Sequence, residues 1–469
     1  MTSIALGTLE IQGPGEMGRG EYIERLEKCI EAGLRTVVTR IVDAQLEGEV
    51  TAVLGRERYQ RRNRVPRKVT TAQCNRCGTR AGWRFRRNGH YARQLLTRWG
   101  HIRLQMPQLV CECGGSVRMA FQTVQCRQRI WDSVASEIRE RYGWGESLRG
   151  IKASLDRWLG SSLGLRTINA RIHAMAELAV QWQQTHQSEC PPVVRLDGLW
   201  VAQMQNRGEQ RADTLGRLRS VKYGVRRPLL VAQGVWPSSG RQEIVAWTLG
   251  EAESAADWEI LLDQMWSRGL RPERGLTMLA ADGGAGLKSA RELVYWNVPV
   301  QRCVFHKLRN IWDALSLPEE YEHVAGRRYK RRLIREVAKV WQAKQVKTAR
   351  ERKATWCLNW ETEQPEAVAT LCRDFEQTLT FYQVQAAAAH QGQTWPANLL
   401  RTTSHLERLF RGLRRRLRQA IVLHSDTGLT ALAYQYFTRW TAGQSADPLD
   451  CFDWPLTIER ALAAAPLIS

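Results

Sequence analysis

The chain has 469 residues, with 69 Lys and Arg against 47 Asp and Glu, a net charge of +22 and a pI near 10.0. That length allows about two to four compact units, and the charge points to a polyanion, nucleic acid before an anionic membrane surface. No apolar run approaches the roughly 20 residues that span a bilayer, and the first residues lack the charged-then-apolar order of a secretory signal. The 11 cysteines are an odd number, scattered except for two close pairs, so a disulfide framework is excluded and a reducing bacterial cytoplasm is expected. Arginine supplies 58 of the 69 basic residues. Its planar fork grips phosphate through two bonds at once, although GC-rich coding alone gives the same bias.

Residues 1–70 read as mostly helical. Tyr22, Leu26, Ile30, Leu34 and Val38 recur at helical spacing, and Ile41, Leu46 and Val50 continue the series. The segment ends in a basic linker containing Arg56, Arg58, Arg61, Arg62 and Arg64, either a solvated run or a phosphate contact. Residues 71–126 carry Cys74-Asn-Arg-Cys77-Gly and Cys111-Glu-Cys113-Gly-Gly around short alternating segments at 93–97 and 101–106. Two cysteine pairs on glycine turns, separated by strands, match a zinc ribbon, four thiolates around tetrahedral Zn2+. The second pair is C-x-C, so His90, His101 and Cys126 stand as alternative ligands, and reduced thiols in a small β unit are the other reading. Zinc would stiffen a module too small to bury a core of its own.

Residues 127–189 are helical again: Val134, Ile138 and Tyr142, then Leu148, Ile151 and Leu155, then Ile168, Ile172 and Met175 mark three helices. Glycines at 143–145 and 160–164 break them. The second and third resemble a helix-turn-helix, whose second helix enters the major groove; an ordinary helical hairpin has the same pattern.

Pro191-Pro192 marks a boundary, and residues 190–310 alternate. Strands are expected at 193–204, with Asp197 in the middle, at 228–236 and at 242–247, with a polar, basic loop over 205–219. A helix over 252–268 places Trp258, Leu261, Leu262, Met265 and Trp266 on one face. An apolar strand at 278–281 then stops at Asp282-Gly283-Gly284. After a helical segment, a strand over 298–303 leads into Cys303-Val-Phe-His306-Lys307-Leu-Arg309. A carboxylate at a strand end suits a divalent cation that needs oxygen ligands and open positions; the plain alternative is an Asp-Gly turn. Three strands, helix, strand, helix, strand is the order of an RNase H-like α/β core, in which carboxylates on the first and fourth strands converge.

Residues 311–400 read as an all-helical insertion, with a basic run at 327–332 and Trp356 and Trp360 at i, i+4. The tryptophans either pack or stack on unpaired bases. Residues 401–469 are expected to give the final part of the core and a C-terminal tail. There Leu406, Leu409, Phe410, Leu413 and Leu417 form the buried face of a helix, and Glu407, Arg411, Arg414 and Arg418 lie on another stripe. Glu407 either pairs with Arg411, a contact of about 0.3–0.5 kcal/mol, or is a third carboxylate beside arginines that grip DNA.

These motifs resemble the Mutator-type transposases of bacterial insertion sequences over residues from about 46 to 440. The resemblance is carried by Glu253, Trp258, Trp266-Ser-Arg-Gly269, Asp282-Gly, Gln301-Arg-Cys303 and His306-Lys-Leu-Arg-Asn310. Thr402-Thr-Ser-His-Leu-Glu407, Arg87-Asn-Gly89 and Thr97-Arg-Trp-Gly100 add to it, with Ser404 where the family often has Asn. The resemblance implies a DDE transposase with Asp197, Asp282 and Glu407 as the triad, 85 and 125 residues apart, holding two Mg2+ (or Mn2+) ions. It further implies double-stranded DNA partners (inverted-repeat ends and target), a homodimer that pairs two ends, no membrane, and a cytoplasmic protein held at the nucleoid by DNA. His306, Lys307, Arg309, Arg411, Arg414, Arg415, Arg418, Trp356 and Trp360 are the residues expected to face DNA. The Cys303–His306 pair is read as structural or DNA-positioning, with a packed cysteine beside a hydrogen-bonded histidine as the alternative. The expected fold is α/β, an RNase H-like catalytic core with an all-helical insertion, preceded by helical, zinc-ribbon-like and helix-turn-helix-like units. A nuclease or resolvase without strand joining and a non-catalytic DNA-binding regulator are the competing functions.

Overall fold

The computed structural model describes residues 19–60, 69–160, 163–317, 323–419 and 425–442. Arg61, Arg62 and Arg64 of the basic linker, and the tail after 442, lie outside the described residues. Two units, Met1–Ile172 and His173–Ser469, divide the chain.

In the first unit, α1 (Arg19–Leu54) buries Val42, Leu46, Val50 and Leu54, one face at four-residue spacing. Four strands follow: β1 (Gln73–Cys74), β2 (Phe85–Thr97), β3 (Gly100–Cys111) and β4 (Val117–Arg118). β2 and β3 form an antiparallel hairpin from Phe85↔Cys111 to Thr97↔Gly100. Along β3, Ile102, Leu104 and Met106 are buried while His101, Arg103 and Gln105 are exposed, the alternation of a half-buried strand. The buried row meets Val42 and Leu46 of α1. β1 pairs with β4 through Gln73↔Arg118 and Cys74↔Val117. Three helices come next: α2 (Asp132–Trp144), α3 (Leu148–Leu159) and α4 (Leu165–Gln184), in which the division between units falls. Left-handed glycines, Gly145 and Gly160, stop α2 and α3, and Ser147 caps α3 by accepting the Gly150 N–H.

The second unit is built on a five-stranded sheet of order β7-β6-β5-β8-β9. Its strands are β5 (Val193–Ala212), β6 (Leu218–Trp236), β7 (Arg241–Leu249), β8 (Met278–Ala281) and β9 (Val300–Arg302). β5, β6 and β7 are antiparallel neighbours, whereas β5, β8 and β9 run parallel. α5 (Ala255–Ser267) links β7 to β8, and α6 (Ala285–Val294) links β8 to β9. The expected order of three strands, helix, strand, helix and strand is thus the one observed. Residues 205–219 differ from expectation. Residues 205–212 and 218–219 are the far ends of β5 and β6, a ladder that runs out to Ala212↔Leu218 and is joined by a turn over 213–217. This arm is largely exposed on both faces, so no apolar alternation marks it, and polarity alone reads as loop.

One face of the sheet, including Val194, Leu196, Leu230 and Ala232, packs on Trp258, Leu261, Leu262 and Met265 of α5 and on Leu287 and Ala290 of α6. The other contributes Val193, Val235 and Met278 to a second core. That core is filled from a helical run: α7 (Val304–Ala314), α8 (His323–Ala338), α9 (Val346–Trp360), α10 (Pro365–Cys372), α11 (Thr380–His390) and α12 (Ala397–Leu400). α13 (Ser404–Gln419) and α14 (Asp426–Thr441) close the described chain.

Candidate active site

Asp197 sits inside β5, between β6 and β8, and only 7% of it is exposed. Parallel pairing of Arg195 with Ala280 puts the residues two further on at one level, Asp197 inside β5 and Asp282 just past the carboxyl end of β8. Asp282 follows the last residue of β8 and accepts the Gly284 N–H at 2.9 Å. Gly283 between them has φ +89, and a Cβ there would lie 2.6 Å from the Arg302 guanidinium, so the turn requires glycine.

Glu407 comes from the first turn of α13, whose Leu406, Leu409, Phe410 and Leu413 are buried. Its Oε1 lies 3.4 Å from His306 Nε2 and its Oε2 lies 3.9 Å from Arg414. These partners replace the Arg411 pairing read from the i, i+4 spacing, because the carboxylate turns toward α7. Ligand atoms of Asp197, His306 and Glu407 all lie within 4.8 Å of one another.

His306 stands in the first turn of α7 and is fixed from behind by Cys303, which directly precedes that helix. Cys303 is fully buried, and its sulfur accepts the Thr403 N–H and hydroxyl, both at 3.2 Å. Burial works to raise the thiol, but the His306 charge and these hydrogen bonds outweigh it and bring Cys303 to about 6. Burial likewise opposes charge on His306, but the Cys303 thiolate, Glu407 and Asp197 hold the imidazole well above its usual value. The same imidazolium, with Arg414 and Arg309, overrides burial and keeps Glu407 low. Asp197 goes the other way: burial pushes it well above the carboxylate range against His306, with Glu407 and Asp282 adding to the rise. Its Oδ1 accepts the Gly198 N–H, while Oδ2 is buried with no donor among the described residues. A buried oxygen without a donor beside Glu407 suits a divalent cation; Asp282 lies outside that cluster and acts on Asp197 through its charge.

Among the other residues expected to face DNA, Arg309, Arg414 and Arg418 are exposed and Arg411 and Arg415 half-buried. Lys307 is buried, its ammonium donating to the Arg373 carbonyl, and burial brings it down to about 8. Trp356 is buried in the helical core, and Trp360 packs against that core with its edge toward Tyr329. Burial of Lys307 and Trp356 by packing leaves neither facing a nucleic acid. Sequence reasoning gives no role of its own to Thr403, which lies within the Thr402-to-Glu407 motif, or to Arg195, which is fully buried and donates to Gln233, Gln242 and the Leu399 carbonyl. Nothing in their spacing marks them, since their partners come from distant strands and helices.

In the first unit, Cys74 of β1, Cys77, Cys111 at the end of β3 and Cys113 form one cluster with all sulfurs within 4.8 Å. Cys74 and Cys113 are 3.5 Å apart, and Cys77 and Cys111 are 3.8 Å apart. A tetrahedral site with metal–sulfur bonds near 2.3 Å has edges of about 3.8 Å, so the cluster is compatible with a metal. The Cys77 N–H, against burial, and the Arg76 N–H lower Cys74 to about 6, while burial raises Cys111 to about 12. Of the alternative ligands, His90 hydrogen-bonds Glu47 at 2.7 Å, and Cys126 is exposed and outside the cluster. No helix among the described residues is long and apolar enough to cross a membrane.

The chain is similar to the transposase for insertion sequence element ISRM5 of Rhizobium meliloti, 25% identical over 82% of this chain and 81% of that one. It is also similar to the transposase for insertion sequence element IS406 of Burkholderia multivorans, 27% identical over 76% of this chain and 83% of that one. Among solved structures it aligns with the Drosophila P element transposase strand transfer complex over 70% of this chain and 83% of that one, at 9% identity and a TM-score of 0.27, a likeness from which nothing is argued. The profile of the family described as "Transposase, Mutator family" matches residues 20–435. The chain therefore belongs to the Mutator family of transposases.

Proposed function

We propose that this protein is a DDE transposase that binds the inverted-repeat ends of an insertion sequence and catalyses magnesium-dependent strand cleavage and strand transfer. The observation that carries the reading is the donor-less, buried Oδ2 of Asp197, level with Asp282 and close to Glu407. The core is of the RNase H type, in two parts (190–310 and the part of 401–469 that precedes the C-terminal tail) around the helical insertion (311–400). Support comes from the mixed sheet order and from Asp197 of β5 standing level with Asp282 at the end of β8.

Asp197, Asp282 and Glu407 would hold divalent magnesium or manganese. When bound, the metal lowers the pKa of the attacking water or 3′-hydroxyl and stabilises the leaving oxygen of an in-line displacement at phosphorus. The chain's own part is positioning. His306 holds Glu407 from one side and offers a positive charge to a phosphate, while Arg309, Arg411, Arg414, Arg415 and Arg418 grip the backbone along α13 and beside it. Trp360 remains a residue for the DNA side of the insertion.

In the first unit, α1 supplies a helical scaffold and residues 71–126 a zinc-ribbon-like unit, with Zn2+ on Cys74, Cys77, Cys111 and Cys113. Residues 127–189 supply a helix-turn-helix-like reader, with α4 as the recognition helix. Two element ends must be brought together, so the protein acts as a homodimer on DNA, at the bacterial nucleoid.

The test uses a labelled duplex carrying the element end and a second duplex as target, with Mg2+ or with EDTA. Cleavage at the element boundary followed by joined products supports a transposase. Nicks without joining would assign a nuclease or resolvase, and metal-independent binding without cutting would assign a regulator.

A further inference from the structure

Glu253, just before α5, is held in a conformation that only strong local support maintains. Its φ is +56, in the left-handed region that side chains other than glycine avoid. Asp257 accepts the N–H groups of Glu251, Ala252 and Ser254, and Ser254 caps α5 in return. Two glycines make the room. A Cβ on Gly198, the neighbour of Asp197, would meet Glu253 Oε1 at 2.9 Å, and one on Gly286, four residues past Asp282, would meet the Glu253 carbonyl oxygen at 2.8 Å. Any larger residue at either place would displace Glu253. The carboxylate is also aimed, because its Oε2 accepts the indole N–H of Trp200 at 3.0 Å.

Successive residues of a strand point to opposite faces, so Glu253 lies on the Gly198 side of β5, away from the side chain of Asp197. Asp197, His306 and Glu407 crowd the other side. Asp282, at the strand end, acts electrostatically on both: its charge adds to the rise of Asp197, and after burial it is the next cause of the rise of Glu253. The buried, donor-less Oδ2 of Asp197 belongs to that other side, with His306 and Glu407.

We propose that Glu253 is a fourth carboxylate of the centre and, with Asp282, holds a divalent cation on the Gly198 side of β5, beside the position served by Asp197 and Glu407. The proposal rests on the metal-ion reading of the centre given above. Asp282 would then be the shared ligand of two cation positions, the arrangement that in-line phosphoryl displacement uses. Magnesium keeps several waters and needs few carboxylates, so Asp282, Glu253, waters and a DNA phosphate oxygen suffice. Trp200 acts as a positioning residue that fixes the Glu253 rotamer.

The test is Mn2+ binding, read by electron paramagnetic resonance, to the full chain with zinc loaded at its cysteines and a pre-cut end duplex present. The variants are Glu253→Gln, Glu253→Ala, and Asp197→Asn with Glu407→Gln. Wild type is expected to bind two Mn2+ per chain. Glu253→Gln, whose amide oxygen still accepts the Trp200 N–H, is expected to bind one at an unchanged thermal midpoint. The Mg2+ needed for half-maximal cleavage should rise about tenfold or more in that variant. Two Mn2+ with an unshifted Mg2+ midpoint in Glu253→Gln would overturn the proposal, also if Glu253→Ala fails, since Glu253 would then serve only as the acceptor for Trp200. Fewer than two Mn2+ in wild type would overturn it as well. Unchanged binding in the Asp197→Asn, Glu407→Gln double variant would instead sink the metal-ion reading beneath it.

Discussion

His306 Nε2 lies 3.4 Å from Glu407 Oε1 and ties α7, which follows β9, to α13, which follows the helical insertion. The tie is anchored at Cys303, whose sulfur takes the N–H and hydroxyl of Thr403, four residues before Glu407. Removing the imidazole therefore frees Oε1 of Glu407 and takes away the charge that lowers the Cys303 thiol. His306→Ala should lower single-turnover cleavage of an element-end duplex about 100-fold without loss of circular dichroism. His306→Lys, which restores charge but not geometry, should recover only part. Cleavage at wild-type rate in His306→Ala would remove the histidine from the centre.

Arg195 is the residue two before Asp197 on the same face of β5, and it donates to Gln233, Gln242 and the Leu399 carbonyl. It pins the end of the helical run to the sheet next to the catalytic strand. Arg195→Met keeps the stem but leaves these acceptors without donors, and chemical denaturation should show a loss of about 2–5 kcal/mol. A loss below about 0.5 kcal/mol, the range of an ordinary surface change, would mean that the acceptors find other partners.

Asp257 gives the fold a defined acid sensitivity. Burial works to raise its carboxyl, but the N–H groups of Glu251, Ala252 and Ser254 and the Ser254 hydroxyl hold it below the usual value. A group whose folded pKa is depressed contributes stability that is complete above its unfolded pKa, about 3.9, and that is lost as pH falls through the folded value. Thermal midpoints should therefore drop below about pH 4, and Asp257→Asn should show a smaller drop over that window. Asp257→Ala should cost about 1–2 kcal/mol at neutral pH through the lost capping bonds.

For the cysteine cluster, one Zn2+ per chain is expected by atomic emission. Cys77→Ser and Cys113→Ser should each release it and lower the melting of the first unit, because a small β module depends on its metal. Cys126→Ser, at an exposed site outside the cluster, should change neither. Full zinc content in Cys113→Ser would exclude the C-x-C pair as ligands.

Much of this was legible in the sequence because it depends on local rules. The run Met278-Leu279-Ala280-Ala281 reads as a short buried strand and Asp282-Gly283 as its end. Trp258, Leu261, Leu262 and Met265 announced the inner face of α5 by spacing alone. What stayed hidden depends on distant pairing. The exposed arm of β5 and β6 has no apolar side to betray it. The partner of Glu407 is His306 rather than the residue one turn away, because tertiary packing of α7 chooses it. Lys307 sits among basic residues in sequence, yet its ammonium reaches the Arg373 carbonyl inside the helical unit. Glu253 is prominent only as part of a motif. Its place beside Gly198 is set by a helix cap and a strand that lie 55 residues apart in the chain (253 − 198).

The central claim is that Asp197, Asp282 and Glu407 act as one metal-dependent unit. The most direct measurement is cleavage of a labelled element-end duplex by the full chain with Mg2+ or EDTA, beside Asp197→Asn, Asp282→Asn and Glu407→Gln, each checked for folding and for DNA binding by mobility shift. Boundary cleavage in Mg2+, absent in EDTA and lost in all three variants while binding persists, is the predicted result. Cleavage that survives in any one of them would contradict the unit, and survival in Glu407→Gln alone would place the third carboxylate elsewhere.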